Sequence, residues 1–172
     1  MLSSTSRQEI LRKIQATVGF PVDDESLSPA TRQAITNIST IQRHLFVIVE
    51  ILRGENSRIE SSRILGLASK LGKDSEKSER QALADEIAKL QAEVDLKVSE
   101  ISKQVTAEVS ARQSGQPMPE YKGNLELVEL KCPQCGATLP MPTGSFSKCQ
   151  YCNATFTLQD VSSQISSMIK AV

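Results

Sequence analysis

All four cysteines of this chain lie in one short segment toward its C-terminal end, as two pairs with the same internal spacing. Cys132 and Cys135 form the first pair, and Cys149 and Cys152 form the second, which gives the pattern C-x2-C-x13-C-x2-C. Two residues between cysteines allow both thiolates of one tight turn to face a single ion, and a second such turn completes a tetrahedral ligand set. The spacing therefore predicts a closed four-thiolate metal site.

The residues around each pair favour a sharp turn. Pro133 starts the first turn and Gly136 follows it, while Asn153 takes the place of glycine after the second pair. Glycine and asparagine are the residues that most readily adopt a positive φ. The sequence Pro-Thr-Gly at 142–144 predicts another turn between the pairs. We therefore expect a hairpin there whose open ends the ion clamps, within a sheet of three or four strands.

Residues 125–158 resemble the zinc ribbon family, through both cysteine turns, the hairpin between them and the flanking strands. The resemblance implies that Cys132, Cys135, Cys149 and Cys152 hold a structural Zn²⁺. Four protein ligands would leave no position for an activated water, which disfavours zinc catalysis. The alternatives are redox-active dithiols or disulfides, and a rubredoxin-like iron site that uses the same ligands.

Most of the remaining chain has helical character, and its longest helix is predicted at about residues 75–112. This stretch contains no proline or glycine and is rich in strong helix formers. Its apolar residues recur every three or four positions with an 11-residue period, typical of a nearly straight, coiled-coil-like packing face. They are Leu83, Ile87, Leu90, Val94, Val98, Ile101, Val105 and Val109. The pattern leaves open whether this face packs within the chain or against a second copy, and charges outside it, such as Glu86, are interpreted as solvated.

Three shorter helices are predicted before the long one. Ser6 with Glu9 matches a capping box for the first helix, which ends near Gly19. The second helix starts at Pro29, with Ser28 as its N-cap, and runs to about Arg53, where Gly54 would close it. A second capping box at residues 57–60 predicts a third helix that continues to about residue 71.

A final amphipathic helix is predicted at residues 159–172, with Asp160 as its cap. Val161, Ile165, Met168 and Val172 share its apolar face. We expect this face to dock on the rest of the chain, or alternatively to enter a groove on a partner.

The predicted fold class is mainly α: a helical bundle with one long coiled-coil-like helix, a small C-terminal zinc ribbon of antiparallel β-structure, and a terminal helix. The helical domain covers residues 1–113. Two glycines and two prolines in residues 114–124 predict a linker, which is followed by the ribbon at 125–158 and the last helix at 159–172.

Charge and motif content argue against several classes of function. Lys plus Arg and Asp plus Glu both total 20, so no net charge attracts the chain to nucleic acid or to an anionic membrane. Residues 120–172 hold four lysines and four acids, and hence no basic stripe for phosphates. Tyr151 and Phe156 could stack on bases, but we interpret both as covering the site or filling its core. The only histidine, His44, lies in an apolar stretch, and no phosphate loop or nucleophile motif is found.

The sequence thus predicts a non-enzymatic adaptor or assembly protein that docks onto protein partners within a larger complex. A cytoplasmic location is expected, because the first residues lack a secretory signal and the most apolar window is too short to span a membrane. Self-association through the long helix is the alternative to its packing within the chain. The alternative functions are a nucleic-acid-associated factor of the transcription or translation machinery and a rubredoxin-like iron redox protein.

Overall fold

The computed structural model describes residues 3–64, 73–123 and 126–172 of the chain. Within these ranges, four helices occupy Ser3–Val18 (α1), Pro29–Ile64 (α2), Lys73–Ser114 (α3) and Leu158–Ala171 (α4). Two short strands, Phe146–Lys148 (β1) and Thr155–Thr157 (β2), pair in an antiparallel sheet. The predicted fold class is therefore confirmed: the chain is mainly helical, with a small antiparallel sheet near its C-terminal end and a terminal helix. In the described ranges, none of the helices combines the length and apolar character needed to cross a bilayer.

The start of α1 differs from its prediction, whereas its end agrees. The helix begins at Ser3, so Ser6 lies inside it and the predicted capping box is wrong. Gly19 ends the helix with φ +79° and donates its N–H to the carbonyl oxygen of Gln15 at 2.9 Å. Ser28 caps α2 as predicted, because its hydroxyl oxygen accepts the Thr31 N–H at 3.2 Å.

Helix α2 continues past the glycine at which it was predicted to stop. Gly54 lies inside the helix and does not have a positive φ. A glycine in a helix interior costs only about 1 kcal/mol relative to alanine, and flanking helix formers offset this cost. Arg53 also pairs with Glu50 at 2.7 Å, one turn back along the same helix. The third predicted helix is merged with α2 up to Ile64, and its remaining residues lie outside the described ranges.

The apolar face of α3 is buried within the single chain. Of its eight predicted residues, Val109 is half-buried, and the other seven are buried. Other residues of the same chain already bury these side chains. Their burial therefore favours packing within the chain over pairing with a second copy. The helix is longer than predicted and ends at Ser114, before Gly115 with φ +67°.

The contacts between residues divide the chain into two compact units. The first unit comprises residues 1–43, 91–128 and 166–172, and the second comprises residues 44–90 and 129–165. Helices α2, α3 and α4 each contribute one part to each unit. The domain limits given by the sequence remain a prediction.

Polar contacts connect the elements of the first unit around its apolar core. Lys13 of α1 pairs with Asp95 of α3 at 2.9 Å. The side-chain amides of Gln42 on α2 and Gln91 on α3 exchange two hydrogen bonds, at 3.1 and 3.0 Å. These contacts fix how α1 and the first part of α2 pack against the second part of α3.

Glu108 is the most buried acidic side chain described in the first unit, at 1% exposure. It accepts the Ser28 N–H at 2.9 Å, the hydroxyls of Ser28 and Thr31 at 2.7 and 2.5 Å, and the Gln104 amide at 3.2 Å. Burial raises the pKa of Glu108, but these hydrogen bonds outweigh it, so the pKa lies below its ordinary value of 4.5. The carboxylate therefore holds the first turn of α2 against α3.

We predict that Glu108→Ala lowers the free energy of unfolding by about 2–4 kcal/mol, because it leaves buried donors without an acceptor. Urea denaturation at pH 7 measures this loss. Glu108→Gln should cost less, because its amide oxygen still accepts the two hydroxyls.

A comparison of the wild type with Glu108→Gln tests whether the side chain of Glu108 is charged. Because the folded-state pKa is depressed, the carboxylate's stabilisation is present above pH 4.5 and is lost as pH falls through the folded pKa. The stability difference between wild type and Glu108→Gln should therefore shrink on acidification below about pH 4.5. A difference that does not change with pH would contradict the assignment.

Candidate metal centre

The second unit brings the four cysteines into one cluster, with all their Sγ atoms within 4.8 Å of one another. Sγ of Cys132 lies 3.6 Å from Sγ of Cys152, and Sγ of Cys135 lies 3.7 Å from Sγ of Cys149. A tetrahedral ion with metal–sulfur bonds of ~2.3 Å requires ligands about 3.8 Å apart. The four side chains therefore fit a closed four-thiolate metal site.

Two turns of the same geometry present the sulfurs, and we call these turns knuckle 1 (residues 132–136) and knuckle 2 (residues 149–153). In knuckle 1, Gly136 has φ +73° and donates its N–H to the Cys132 carbonyl oxygen at 2.9 Å. In knuckle 2, Asn153 has φ +59° and donates to the Cys149 carbonyl oxygen at 3.0 Å. The positive φ values explain why glycine and asparagine follow the two pairs, as the sequence predicted.

Each knuckle is the tip of its own hairpin, so the hairpin predicted between the knuckles is wrong. Strands β1 and β2 flank knuckle 2, with Lys148 opposite Thr155. An isolated bridge between Lys131 and Thr138 closes knuckle 1. Among the described residues, the sheet has two strands rather than the predicted three or four. The prolines of the intervening segment, at 140 and 142, have no N–H to donate to a ladder, which opposes strand pairing there.

The start of α4 follows β2 without a break, and a capping box holds it. Thr157 and not Asp160 is the N-cap: its hydroxyl accepts the Asp160 N–H at 3.3 Å, while the Asp160 carboxylate accepts the Thr157 N–H at 2.7 Å. The predicted capping role of Asp160 is corrected to that of the acidic partner in the box. The capping box therefore joins β2, the second strand of the knuckle 2 hairpin, directly to the start of α4.

Gln164 of α4 ties the other hairpin to the same helix. Its amide oxygen accepts the Lys131 N–H at 2.8 Å, and its amide nitrogen donates to the Lys131 carbonyl oxygen at 2.7 Å. The side chain thus pairs with the residue before knuckle 1 in the way that a neighbouring strand would. Sequence reasoning missed this residue, because a glutamine on the polar side of an amphipathic helix carries no distinguishing pattern.

Helix α4 docks within the chain rather than remaining unpaired. All four residues predicted for its apolar face are buried: Val161, Ile165, Met168 and Val172. In the second unit, Glu86 of α3 accepts hydrogen bonds from the Ser162 hydroxyl at 2.6 Å and from the Gln159 amide. Glu86 was interpreted as solvated, but it is half-buried in this contact.

The two cysteines of each knuckle differ in exposure. Cys132 and Cys149, the first of each pair, are 2% and 0% exposed, whereas Cys135 and Cys152 face solvent. Each knuckle therefore has one cysteine residue that the protein covers and one that is exposed.

The four thiols also differ in acidity. N–H groups of Cys152 and Tyr151 hold the pKa of Cys149 at about 6, and N–H groups of Cys135 and Gln134 lower the pKa of Cys132. The Ala154 N–H acts to lower the pKa of Cys152, but burial and the neighbouring sulfurs raise it to about 12. For Cys135, the Ala137 N–H likewise opposes burial and the neighbouring sulfurs, and the pKa is raised. Full ionisation of all four at neutral pH therefore requires a cation.

The aromatic residues of this region are divided between core and surface. Phe156 is 2% exposed and fills the core, as expected. Tyr151, for which a covering or core position was expected, is 76% exposed, so this expectation is wrong. His44 is buried in α2, consistent with the apolar stretch that surrounds it.

No family model matches the chain, nor does any curated protein or any solved structure. The functional interpretation therefore depends on the geometry of the chain itself.

We predict that binding of Zn²⁺ at pH 7 releases about two to three protons per ion. The raised pKa values of Cys135 and Cys152 keep both protonated there, Cys149 is largely ionised, and Cys132, whose pKa is lowered, releases at most one more. Calorimetric titration in buffers of different ionisation enthalpy gives this number. The apparent affinity should rise from pH 6 to pH 8 as protons compete less. Release of no protons would contradict the acidities assigned to the four thiols.

Proposed function

We propose that this protein is a non-enzymatic adaptor or assembly protein whose C-terminal region is a zinc-ribbon module that docks onto a protein partner. The observation that carries the proposal is the closed set of four cysteine sulfurs on two equivalent knuckles. A site with four protein ligands stabilises a fold and offers no position to a substrate. The proposal therefore assigns the metal a structural role.

Zinc is the proposed ion because tetrahedral sets of soft thiolate ligands favour it. When bound, Zn²⁺ offsets part of the negative charge of the thiolates and cross-links the two knuckles. The module needs such a link, since two strands of three residues each bury too little apolar surface to be stable alone. Structural zinc contributes about 10 kcal/mol or more to domains of this kind.

We predict about one zinc ion per chain in protein purified without chelators, because the four sulfurs form a single site. Elemental analysis measures the metal, and a colourless protein excludes ferric iron, which absorbs visible light on four thiolates. Cys149→Ser should lower the metal content several-fold or more, whereas Gln150→Ala, in the same knuckle, should leave it unchanged. Stoichiometric iron, or a metal content that Cys149→Ser does not alter, would contradict the proposal.

Two exposed aromatic side chains support docking through this module. Phe146 on β1 is 73% exposed and Tyr151 at the tip of knuckle 2 is 76% exposed. Exposed aromatic residues are enriched at the centres of protein interfaces, where they supply large contact areas. The balanced charge of residues 120–172 favours a protein over a nucleic acid as the partner.

Affinity capture of the intact protein from the cells that produce it tests this proposal. We predict that the double variant Phe146→Ala with Tyr151→Ala loses the captured protein by about tenfold or more, since interface aromatic residues often carry 1–2 kcal/mol or more each. Leu96→Ala is the matched control, because Leu96 is 61% exposed but lies on α3. Its capture should equal that of wild type, and all variants should retain their zinc.

The same capture experiment also tests the alternative function, in which the partner is a nucleic acid. If RNA or DNA is captured instead, a titration of its binding with salt decides the case. A steep loss of affinity between low and physiological salt would identify phosphate contacts and overturn the assignment of a protein partner.

A further inference from the structure

We infer that a cavity in the first unit is a second docking site, which takes a large apolar side chain flanked by lysine or arginine on a segment of a protein partner. The cavity has a volume of about 450 Å³ and lies between the connector of residues 19–28 and the end of α3. Its walls include Phe20, Pro21, Val22 and Asp23 of the connector and Val109 and Ser110 of α3. This site goes beyond the proposed function, because it involves neither the metal nor the knuckles.

The cavity lies where the apolar face of α3 is incompletely covered. Seven of the eight apolar residues on that face are buried, and Val109 is the half-buried one. Phe20 beside it is also half-buried and Pro21 is exposed, so the apolar walls reach solvent. A partner's apolar side chain that enters this concave site removes these walls from water, which favours binding.

Hydrogen bonds hold the connector in place on both sides of the cavity. The Gln15 side-chain amide of α1 donates to the Val22 carbonyl oxygen at 3.4 Å. At the end of the connector, the Ser28 N–H and hydroxyl donate to the Glu108 carboxylate of α3 at 2.9 and 2.7 Å. The walls of the cavity are therefore formed before a partner arrives, and preorganisation of this kind favours binding.

The charge at the rim determines the chemistry of the occupant. Asp23 is the only charged residue that lines the cavity, and Glu25 is exposed next to it in the same turn. Asp24 pairs with Arg7 at 2.6 Å, whereas Asp23 and Glu25 have no ion-pair partner among the residues that the structure describes. Arg112 of α3 does not line the cavity. Lysine or arginine beside the apolar side chain therefore complements the rim, whereas an acidic segment is repelled.

The open shape of the cavity favours a side chain on a longer segment over an enclosed small molecule. Of the lining residues, Pro21, Asp23, Ser110 and Gln113 are exposed, and Val22 alone is fully buried. The volume of about 450 Å³ is large enough for one aromatic side chain, since sites for small ligands begin at about 300 Å³. The open side leaves room for the chain that carries this side chain.

The absence of tryptophan from the sequence allows a direct measurement of binding. The probe is the acetylated and amidated peptide Gly-Lys-Trp-Lys-Gly, whose indole emission is the only tryptophan signal in a mixture with the intact protein. We expect saturable binding with a dissociation constant of about 1 mM or below, and a shift of the emission to shorter wavelength as the indole leaves water. Changes in amide NMR shifts should be centred on the lining residues.

A matched peptide tests the role of charge. Gly-Glu-Trp-Glu-Gly has the same apolar side chain with the opposite charge, and at low salt it should bind about fivefold or more weakly. Equal binding of the two peptides would overturn the inference, because an apolar cavity without a role for its rim would not distinguish them.

Two variants test the cavity and its rim separately. Ser110→Phe places a ring in the cavity and should weaken binding of the basic peptide by about tenfold or more, whereas Ala107→Phe, on an exposed part of α3 outside the cavity, should not. Asp23→Asn removes the charge but keeps an acceptor for the Glu25 N–H, and should weaken binding of the basic peptide by about threefold. Cooperative thermal unfolding confirms that each variant is folded.

Three results would overturn the inference. They are no saturable binding of Gly-Lys-Trp-Lys-Gly, shift changes that lie away from the cavity, and equal binding by wild type and Ser110→Phe. Sedimentation tests a second copy of the chain as the occupant: a dimer that Ser110→Phe dissociates and Ala107→Phe does not would also overturn it. Peptide binding and zinc content are separate measurements, so failure of the proposed function leaves this test intact.

Discussion

The mutual proximity of four cysteine sulfurs is the constraint on which the C-terminal region depends. Placed within 4.8 Å of one another, they cannot all carry negative charge unless a cation lies among them. Their acidities reflect this conflict: backbone N–H groups lower the pKa of Cys132 and Cys149, while the pKa values of Cys135 and Cys152 are raised. A divalent ion resolves the conflict and, at the same time, links two hairpins that have little apolar core.

The helices prepare this site rather than contribute to its chemistry. Gln164 pairs with the backbone beside knuckle 1, and the box formed by Thr157 and Asp160 joins the hairpin of knuckle 2 to the start of α4. Glu86 holds α4 against α3 within the second unit. The side-chain to backbone contacts of Gln164 and of the Thr157–Asp160 box take the place of the additional strands that a larger sheet would supply. In the first unit, Glu108 has a comparable function, because it binds the first turn of α2 to α3.

The exposed side chains of the second unit support the proposed adaptor function. One cysteine of each knuckle is covered and one is open, and the aromatic side chains Phe146 and Tyr151 are exposed on the same unit.

The sequence alone determined the local features of this protein, because these depend on residues that are close together in the chain. The spacing of the cysteines, Gly136 and Asn153 predicted both knuckles, and the period of the apolar residues predicted the buried face of α3. The end predicted for α2 at Gly54 was wrong. A glycine inside a helix costs only about 1 kcal/mol relative to alanine, and the residues on both sides of Gly54 favour a continuous helix. Only the tertiary structure decided which polar residues hold the elements of each unit together. Gln164, Glu86 and Glu108 act on groups distant in sequence, and a polar side chain shows its partner only after packing brings the two together.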